Sequence, residues 1–192
     1  HILGSAVCVF DLKSTRQRVV FSGDLGRYQA PILRDPQSVD SATTLVVEST
    51  YGDRQHREQK PMEALRDAVK GAFDRGGVVV IPAFAVGRTQ ELLFHLRNLE
   101  EAKQIPVVDV FVDSPMACDA TPVYLAHPEE HDLVMKSLVE RGASPLATQR
   151  TRFVTSAQES KRLNMHEGPA IIISASGMAT GGRVLHHLKH RL

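Results

Sequence analysis

Two carboxylates and one histidine are the residues of this chain best placed to do chemistry. Asp24 follows the β-branched and aromatic run of residues 19–21, with glycines on both sides of it. Glu48 ends a second apolar run, residues 45–47, and a glycine follows shortly after. Continuous apolar runs of this kind are typical of interior strands, and sites are built at the carboxyl ends of parallel strands. We therefore follow Asp24 and Glu48, together with His1, as one candidate site.

His1 and Asp24 are candidate metal ligands. A carboxylate oxygen beside an imidazole nitrogen suits zinc or manganese. Spacing alone supports this weakly, because an aspartate after glycine is commonly a turn residue, and two ligands are too few for a closed site. His186 and His190 share one helical face and could also hold a metal, but a solvated basic helix face is the better interpretation.

Composition narrows the classes of function. The chain has 192 residues and a net charge of +1, so any attraction to nucleic acid must come from local patches. No apolar run approaches the roughly 20 residues that cross a bilayer, and no signal peptide opens the chain.

Cys8 and Cys118 lie in apolar surroundings without a C-x-x-C pair, so we expect buried free thiols and a reducing, cytoplasmic location. The chain begins at His1 rather than methionine, as if cut from a longer protein.

The pattern of elements changes near Asp53. Before it, residues 7–12 and 18–22 predict a strand hairpin, and residues 44–48 predict another strand. After it, strands and helices alternate, which indicates a parallel α/β sheet with right-handed crossovers. The later predicted strands are residues 78–82, 107–112, 152–155 and 170–174. The predicted helices cover residues 61–74, 88–98, 115–126 and 130–141, and two more begin after Ser156 and at Arg183.

Three loops that follow these strands share one design, in which small residues lead into a helix. They are residues 83–88, 113–116 and 174–183. Each would bring backbone N–H groups to the carboxyl edge of the sheet, where they suit an anion, and Arg88 and Arg183 could bind phosphate through two bonds. Ordinary turns with capping glycines are an equally good interpretation. None of the loops matches a nucleotide-binding fingerprint, so a nucleotide cofactor is disfavoured.

Five motifs in a fixed order resemble the metallo-β-lactamase-fold β-CASP nucleases. They are residues 1–5 (HILGS), 21–27 (FSGDLGR), 48–54 (ESTYGDR), 82–93 (PAFAVGRTQELL) and 174–178 (SASGM). That family includes the endonuclease subunit of the eukaryotic mRNA 3′-cleavage factor, its archaeal and bacterial homologues and, more distantly, ribonuclease J. The resemblance implies an α/β fold in which residues 1–52 belong to a metallo-β-lactamase-like αββα core. Residues 53–192 would be a β-CASP domain, incomplete at its C-terminus, with a mainly parallel sheet flanked by helices.

The resemblance also implies roles for single residues. His1 resembles a metal ligand and Asp24 a catalytic carboxylate that bridges two zinc ions. Glu48 resembles a catalytic acidic residue beside them, hydrogen-bonded to a histidine that would protonate the leaving oxygen. The implied activity is hydrolysis of RNA phosphodiesters by a two-zinc hydroxide mechanism, with manganese as an alternative metal. Single-stranded RNA is the implied partner, no membrane is involved, and a homodimer stays open. The implied substrate-binding residues are Tyr51, Arg88, Ser176, Gly177 and Arg183.

The family's H-x-H-x-D-H motif and two later histidine motifs are absent from these residues. We therefore expect a middle fragment that holds no complete dinuclear site, has no nuclease activity alone and exposes apolar surface in residues 1–52. One alternative is a catalytically dead scaffold or RNA-binding subunit, which loss of the upstream motif would indicate. Another is a metallo-hydrolase of small esters or amides, against which the inserted domain with its arginine loops argues.

Overall fold

A computed structural model describes residues 1–55 and 60–192, which form two separate sheets. The first sheet contains β1 (Cys8–Leu12), β2 (Gln17–Phe21) and β3 (Thr44–Val46), with β2 in the middle. β1 and β2 form the predicted antiparallel hairpin, whereas β2 and β3 run parallel. The carboxyl ends of β2 and β3 therefore lie side by side.

The second sheet has four parallel strands. They are β4 (Val78–Pro82), β5 (Asp109–Asp113), β6 (Thr151–Phe153) and β7 (Ala170–Ser174), in the order β4-β7-β5-β6. All five residues of β7 are buried, as expected of a strand covered on both faces. This confirms the parallel sheet that the alternation of strands and helices predicted.

Helices cover both faces of this sheet. They are α1 (Pro61–Phe73), α2 (Arg88–Glu101), α3 (Pro115–Ala126), α4 (Leu133–Glu140), α5 (Ala157–Leu163) and α6 (Val184–Arg191), with a 3-10 helix at Pro128–Glu130. Successive side chains of β7 point to opposite faces: Ile171 and Ile173 share a core with Leu93 of α2, whereas Ile172 packs with Leu163 of α5. In the described part of the chain, no helix is long and apolar enough to cross a bilayer.

Several predicted boundaries differ from the structure by one to three residues. β3 ends at Val46 rather than at 48, because the backbone N–H of Glu48 donates to a serine side chain instead of a strand. β5 begins at Asp109 rather than at 107. The helix predicted from residue 130 begins at Leu133, because the Asp132 side chain caps it by accepting from the N–H of Met135.

The first sheet exposes apolar surface, as predicted for residues 1–52. All residues of β1 and β3 are exposed, including Phe10 and Leu45. Residues 1–55 contain no helix that could cover these strands. The prediction that Cys8 is buried was therefore wrong, since Cys8 lies on β1 and is exposed; Cys118 is half-buried on α3. The apolar runs at residues 19–21 and 45–47 were also expected to be interior strands. In the structure, residues 45–47 are all exposed, and only Val20 of residues 19–21 is buried.

The two sheets are joined along a seam between their loops. The N–H of Leu3 donates to the Tyr124 hydroxyl at 3.2 Å. Ile32, which is 2% exposed, packs among Phe94, Tyr124 and Met135. The seam holds residues 1–3 against the start of α2 and fixes the first sheet relative to the second.

Gly87 is the tightest point of this seam. Its φ of +82° favours glycine, and a Cβ there would lie 2.5 Å from Cγ2 of Ile2. Gly142 has a similar φ of +71° with no atom within 4 Å of such a Cβ. An alanine would be strained by the positive φ at either position, but only an alanine at position 87 would also collide with Ile2.

We expect Gly87→Ala to lower the free energy of unfolding by about 1–3 kcal/mol more than Gly142→Ala, because crowding adds to the strain of a positive φ. Urea denaturation of both variants measures the difference. Equal losses would show that the loop of residues 1–5 moves away at no cost.

Candidate functional site

Glu48 is held at the end of β3 by backbone amides. Its own N–H donates to Ser22 Oγ at 3.1 Å, while the N–H of Ser22 donates to the Val46 carbonyl at 2.9 Å. Its carboxylate accepts from the N–H of Thr50 at 2.8 Å and from the N–H of Leu25 at 3.3 Å. The hydrogen bonds from Thr50 and then from Leu25 hold the pKa of Glu48 below its usual value. Glu48 is therefore an ionised, oriented acceptor at neutral pH.

His1 and Asp24 lie beside this carboxylate. Nδ1 of His1 is 3.7 Å from Oδ2 of Asp24, and the two side chains are 40% and 76% exposed. Gly26 permits this approach, because a Cβ at that position would collide with the backbone of His1. The structure thus brings His1, Asp24 and Glu48 to one edge of the first sheet, as the strand-end pattern predicted, while their catalytic roles stay predictions.

The donor set suits part of a zinc site. An imidazole nitrogen and a carboxylate oxygen are common zinc ligands, and both are accessible here. Within residues 1–55 and 60–192, no three His, Cys, Asp or Glu side chains form a group that could hold a metal. His1 and Asp24 therefore fit zinc as two ligands of a larger set.

A groove of about 630 Å³ opens beside these residues. His1 and Asp24 line it together with Arg18, Arg27 and Arg34. Its volume lies in the range of small-ligand sites. Each of these guanidinium groups forms an ion pair, Arg18 with Asp11, Arg27 with Glu91 and Arg34 with Glu130.

The three strand-to-helix loops converge as predicted, because β4, β7 and β5 are parallel neighbours. A Cβ on Gly177 would lie 2.9 Å from the Phe84 ring, so the first and third loops touch. However, the prediction of free N–H groups before α2 was wrong. The N–H of Gly87 donates to Gln90 Oε1 at 2.8 Å, and that of Thr89 donates to the Phe84 carbonyl at 3.2 Å. The backbone N–H groups of this loop donate to acceptors within the loop and the first turn of α2, so few are left to bind an anion.

The second and third loops are also closed by internal hydrogen bonds. Ser114 Oγ accepts from the N–H of Ala117. The N–H of Ser176 donates to the Gly181 carbonyl at 3.3 Å, and the N–H of Val184 donates to the Ala175 carbonyl at 3.1 Å. Of the predicted substrate-binding residues, Ser176 and Gly177 are half-buried in this loop, and Tyr51 is exposed with a guanidinium over its ring.

Arg183 does not present the free guanidinium that was predicted. Its Nη1 donates to Oδ1 of Asp113 at 2.8 Å and to the Val154 carbonyl at 3.2 Å. Its Nη2 donates to the Thr155 carbonyl at 2.7 Å. The side chain is used inside the fold, where it joins the end of β5 to the start of α6.

Asp113 is the centre of a buried polar network that sequence reasoning missed. Oδ2 accepts from Ser160 Oγ at 2.6 Å and lies 2.7 Å from Nε2 of His187, whose Nδ1 lies 2.7 Å from Oδ1 of Asn164. Asp113 and His187 are both fully buried. Asp113 ends an apolar strand just as Asp24 and Glu48 follow theirs, and this signal could have found it.

Burial alone would raise the pKa of Asp113. The hydrogen bonds from His187, Ser160 and Arg183 outweigh burial, so the pKa lies below its usual value. The carboxylate is therefore ionised in the folded state. The network connects α5, α6 and the strand ends, and it holds the loop of residues 174–183 in place.

Comparison with known proteins identifies the second sheet. The Beta-Casp domain model matches residues 89–192, which is more than half of the chain. The chain belongs to the β-CASP family. This confirms the resemblance, and the matched part contains Asp113, Gly177 and Arg183. The metallo-β-lactamase-like identity of residues 1–52 and the boundary near Asp53 stay predictions.

The relatives include proteins named for action on RNA. The chain is 34% identical over 193 residues to "Ribonuclease TTHA0252" of Thermus thermophilus, covering 100% of this chain and 44% of the relative. It is 33% identical over 195 residues to "Transcription termination factor FttA" of Methanosarcina mazei, covering 98% and 30%. It is 30% identical over 193 residues to an "RNase J-like protein" of Methanocaldococcus jannaschii, covering 98% and 44%. The chain thus spans less than half of each relative.

We expect Asp113→Asn to lower the free energy of unfolding by about 3–5 kcal/mol at pH 7, because Arg183 would lose its buried counter-charge and Ser160 and His187 would lose a charged partner. Asp119→Asn is the control, since Asp119 is an exposed carboxylate on α3, and it should change stability by less than about 0.5 kcal/mol. Urea denaturation measures both.

The pH dependence has a defined sign. Because the folded-state pKa of Asp113 is lowered, its stabilisation is present above the unfolded value of about 3.9 and is lost as pH falls through the folded value. The gap between the wild type and Asp113→Asn should therefore shrink below about pH 4. A gap that grows on acidification would contradict this assignment.

Proposed function

We propose that this chain is part of a metal-dependent RNA phosphodiester hydrolase. The observation that carries the proposal is the meeting of His1, Asp24 and Glu48 at the carboxyl ends of β2 and β3. This edge lies at the seam with a β-CASP domain, and two relatives of the chain are named as a ribonuclease and an RNase J-like protein. Candidate metal ligands and guanidinium groups in one groove, with the oriented carboxylate of Glu48 at the same sheet edge, suit cleavage of a phosphodiester.

His1 and Asp24 would hold zinc, or manganese in its place. Two bound zinc ions would supply Lewis acidity that lowers the pKa of a coordinated water and stabilises negative charge on the phosphate. Asp24 suits a metal ligand because a carboxylate has two oxygens that both carry charge. An asparagine there would offer one neutral oxygen.

Glu48 would act as an ionised acceptor. Its two oxygens are fixed by the N–H groups of Thr50 and Leu25, so its position changes little when a ligand arrives. A carboxylate held in this way can accept a hydrogen bond from a neighbouring imidazole and favour its protonated form. Such an imidazolium could protonate the oxygen that leaves the phosphate.

The groove would bind single-stranded RNA. Its lining contains Arg18, Arg27 and Arg34 as groups able to bind phosphate, alongside the carboxylates Asp24, Asp35, Asp40 and Glu130. Affinity that depends on phosphate contacts falls as salt rises. Tyr51 and Arg88 are exposed and remain proposed substrate contacts, together with the loop that carries Ser176 and Gly177.

The experiment is metal analysis and RNA cleavage on the natural protein that contains this sequence. We expect about two zinc ions per chain in the wild type and a loss of both zinc and RNA cleavage, at least about 100-fold, in Asp24→Ala. Asp67→Ala is the control, because Asp67 is an exposed carboxylate on α1 that does not line the groove. Residues 1–192 alone should cut no RNA, since the described residues supply two ligands.

Three results would contradict the proposal. A wild-type protein that binds RNA without metal and leaves it uncut would indicate a scaffold or RNA-binding subunit. Faster turnover of an activated ester than of RNA would indicate a small-molecule hydrolase. Asp24→Ala with wild-type zinc and activity would remove Asp24 from the site.

A further inference from the structure

Glu91, in the first turn of α2, bridges two exposed guanidinium groups. Its Oε1 accepts from Nη2 of Arg27 at 2.7 Å, and its Oε2 accepts from Nη1 of Arg88 at 2.6 Å. Both arginine side chains are 60% exposed, whereas that of Glu91 is 18% exposed. The carboxylate therefore lies beneath the two arginines and holds them side by side.

This cluster keeps an excess of positive charge. His95, whose Nε2 lies 3.8 Å from Oε1, and then Arg88 and Arg27 hold the pKa of Glu91 below its usual value, so the carboxylate is ionised. The negative charge of Glu91 balances one of the two guanidinium charges, so one positive charge remains. Among the described residues, Glu91 is the single carboxylate in ion-pair distance of either arginine. Each guanidinium has five N–H donors and uses few of them on Glu91.

The cluster lies where the first sheet meets α2. Arg27 comes three residues after Asp24 and lines the same groove as His1 and Asp24. Arg88 follows Gly87, which is in contact with Ile2. One arginine therefore comes from each side of the seam, and Arg27 shares the groove with the proposed metal ligands.

Stability does not explain this arrangement. Exposed ion pairs contribute little to folding, because water and salt screen them and the long side chains lose entropy. Arg183 shows what a structural arginine looks like in this fold, since its donors are taken by Asp113 and two carbonyls. Arg27 and Arg88 instead direct their remaining donors to solvent.

We infer that Arg27 and Arg88 together bind a single phosphate of the RNA backbone, and that Glu91 is the positioning residue that sets their spacing. This inference rests on the proposed function and assigns Arg27 and Arg88 to the same phosphate, with Glu91 holding them in place. Guanidinium groups suit the task because they bind phosphate oxygens through two parallel N–H bonds. A phosphate fixed here would orient the strand that enters the groove.

Binding of a labelled, unstructured single-stranded oligouridylate to the natural protein tests the inference. Dissociation constants are measured at several KCl concentrations for the wild type, Arg27→Ala, Arg88→Ala and the double variant. We expect each single variant to bind about tenfold more weakly. In the double variant, the slope of log K against log salt should fall by about 0.7, the value for one phosphate of a single strand. A fall of about 1.4 would mean two separate phosphates and would overturn the inference.

Lysine variants separate charge from geometry. Arg27→Lys and Arg88→Lys keep the positive charge and lose the planar fork. We expect them to keep the wild-type salt slope while binding RNA more weakly. Wild-type affinity in both lysine variants would overturn the proposed two-bond contact.

Arg150→Ala is the matched control. Arg150 is 54% exposed and paired with Asp109, but it precedes β6 and so lies at the opposite edge of the second sheet. It should leave affinity and slope unchanged, and thermal denaturation of every variant checks the fold. If the wild type cuts RNA while the double variant keeps its affinity and slope, the inference fails and the proposed function stands. If the wild type neither binds nor cuts RNA, both fail.

Discussion

Parallel pairing of neighbouring strands is the constraint on which the rest of this structure depends. In parallel strands all carboxyl ends meet at one edge, so residues far apart in sequence become neighbours. The pairing of β2 with β3 brings Asp24 next to Glu48. The pairing of β4, β7 and β5 gathers three loops at the edge of the second sheet. Asp24, Glu48 and Arg88 each follow a strand at one of these two edges.

The seam holds the first sheet against the second. Tyr124 and Asp132 on the second sheet's helices accept hydrogen bonds from Leu3 and Ile32 of the first part. Gly87 lets the start of α2 approach Ile2 closely. Because these contacts fix residues 1–3, they also fix His1 beside Asp24 and set the distance between the candidate metal ligands and the arginines of α2.

Burial decides what each arginine does. Arg183 lies next to the fully buried Asp113, and an unpaired charge there would be costly, so its donors are used inside the protein. Arg27 and Arg88 lie over a partly exposed carboxylate, where water stabilises whatever charge remains. The same side chain therefore stabilises the fold at one strand end and is available to a ligand at another.

The sequence by itself determined the alternation of strands and helices, the parallel second sheet and the strand-end positions of Asp24 and Glu48. These features depend on local apolar patterns, glycines and caps, which act within a few residues of the chain. The sequence also predicted that the first strands would expose apolar surface.

Only the tertiary structure decided how the polar groups pair. Asp113 and His187 are far apart in sequence, so no local pattern shows that they meet, and the same is true of Arg27 and Glu91. Arg88 and Arg183 follow similar glycine loops, yet one faces solvent and the other a buried carboxylate. Their difference arises because a charged group takes whichever partner the packing of distant elements leaves within hydrogen-bond distance.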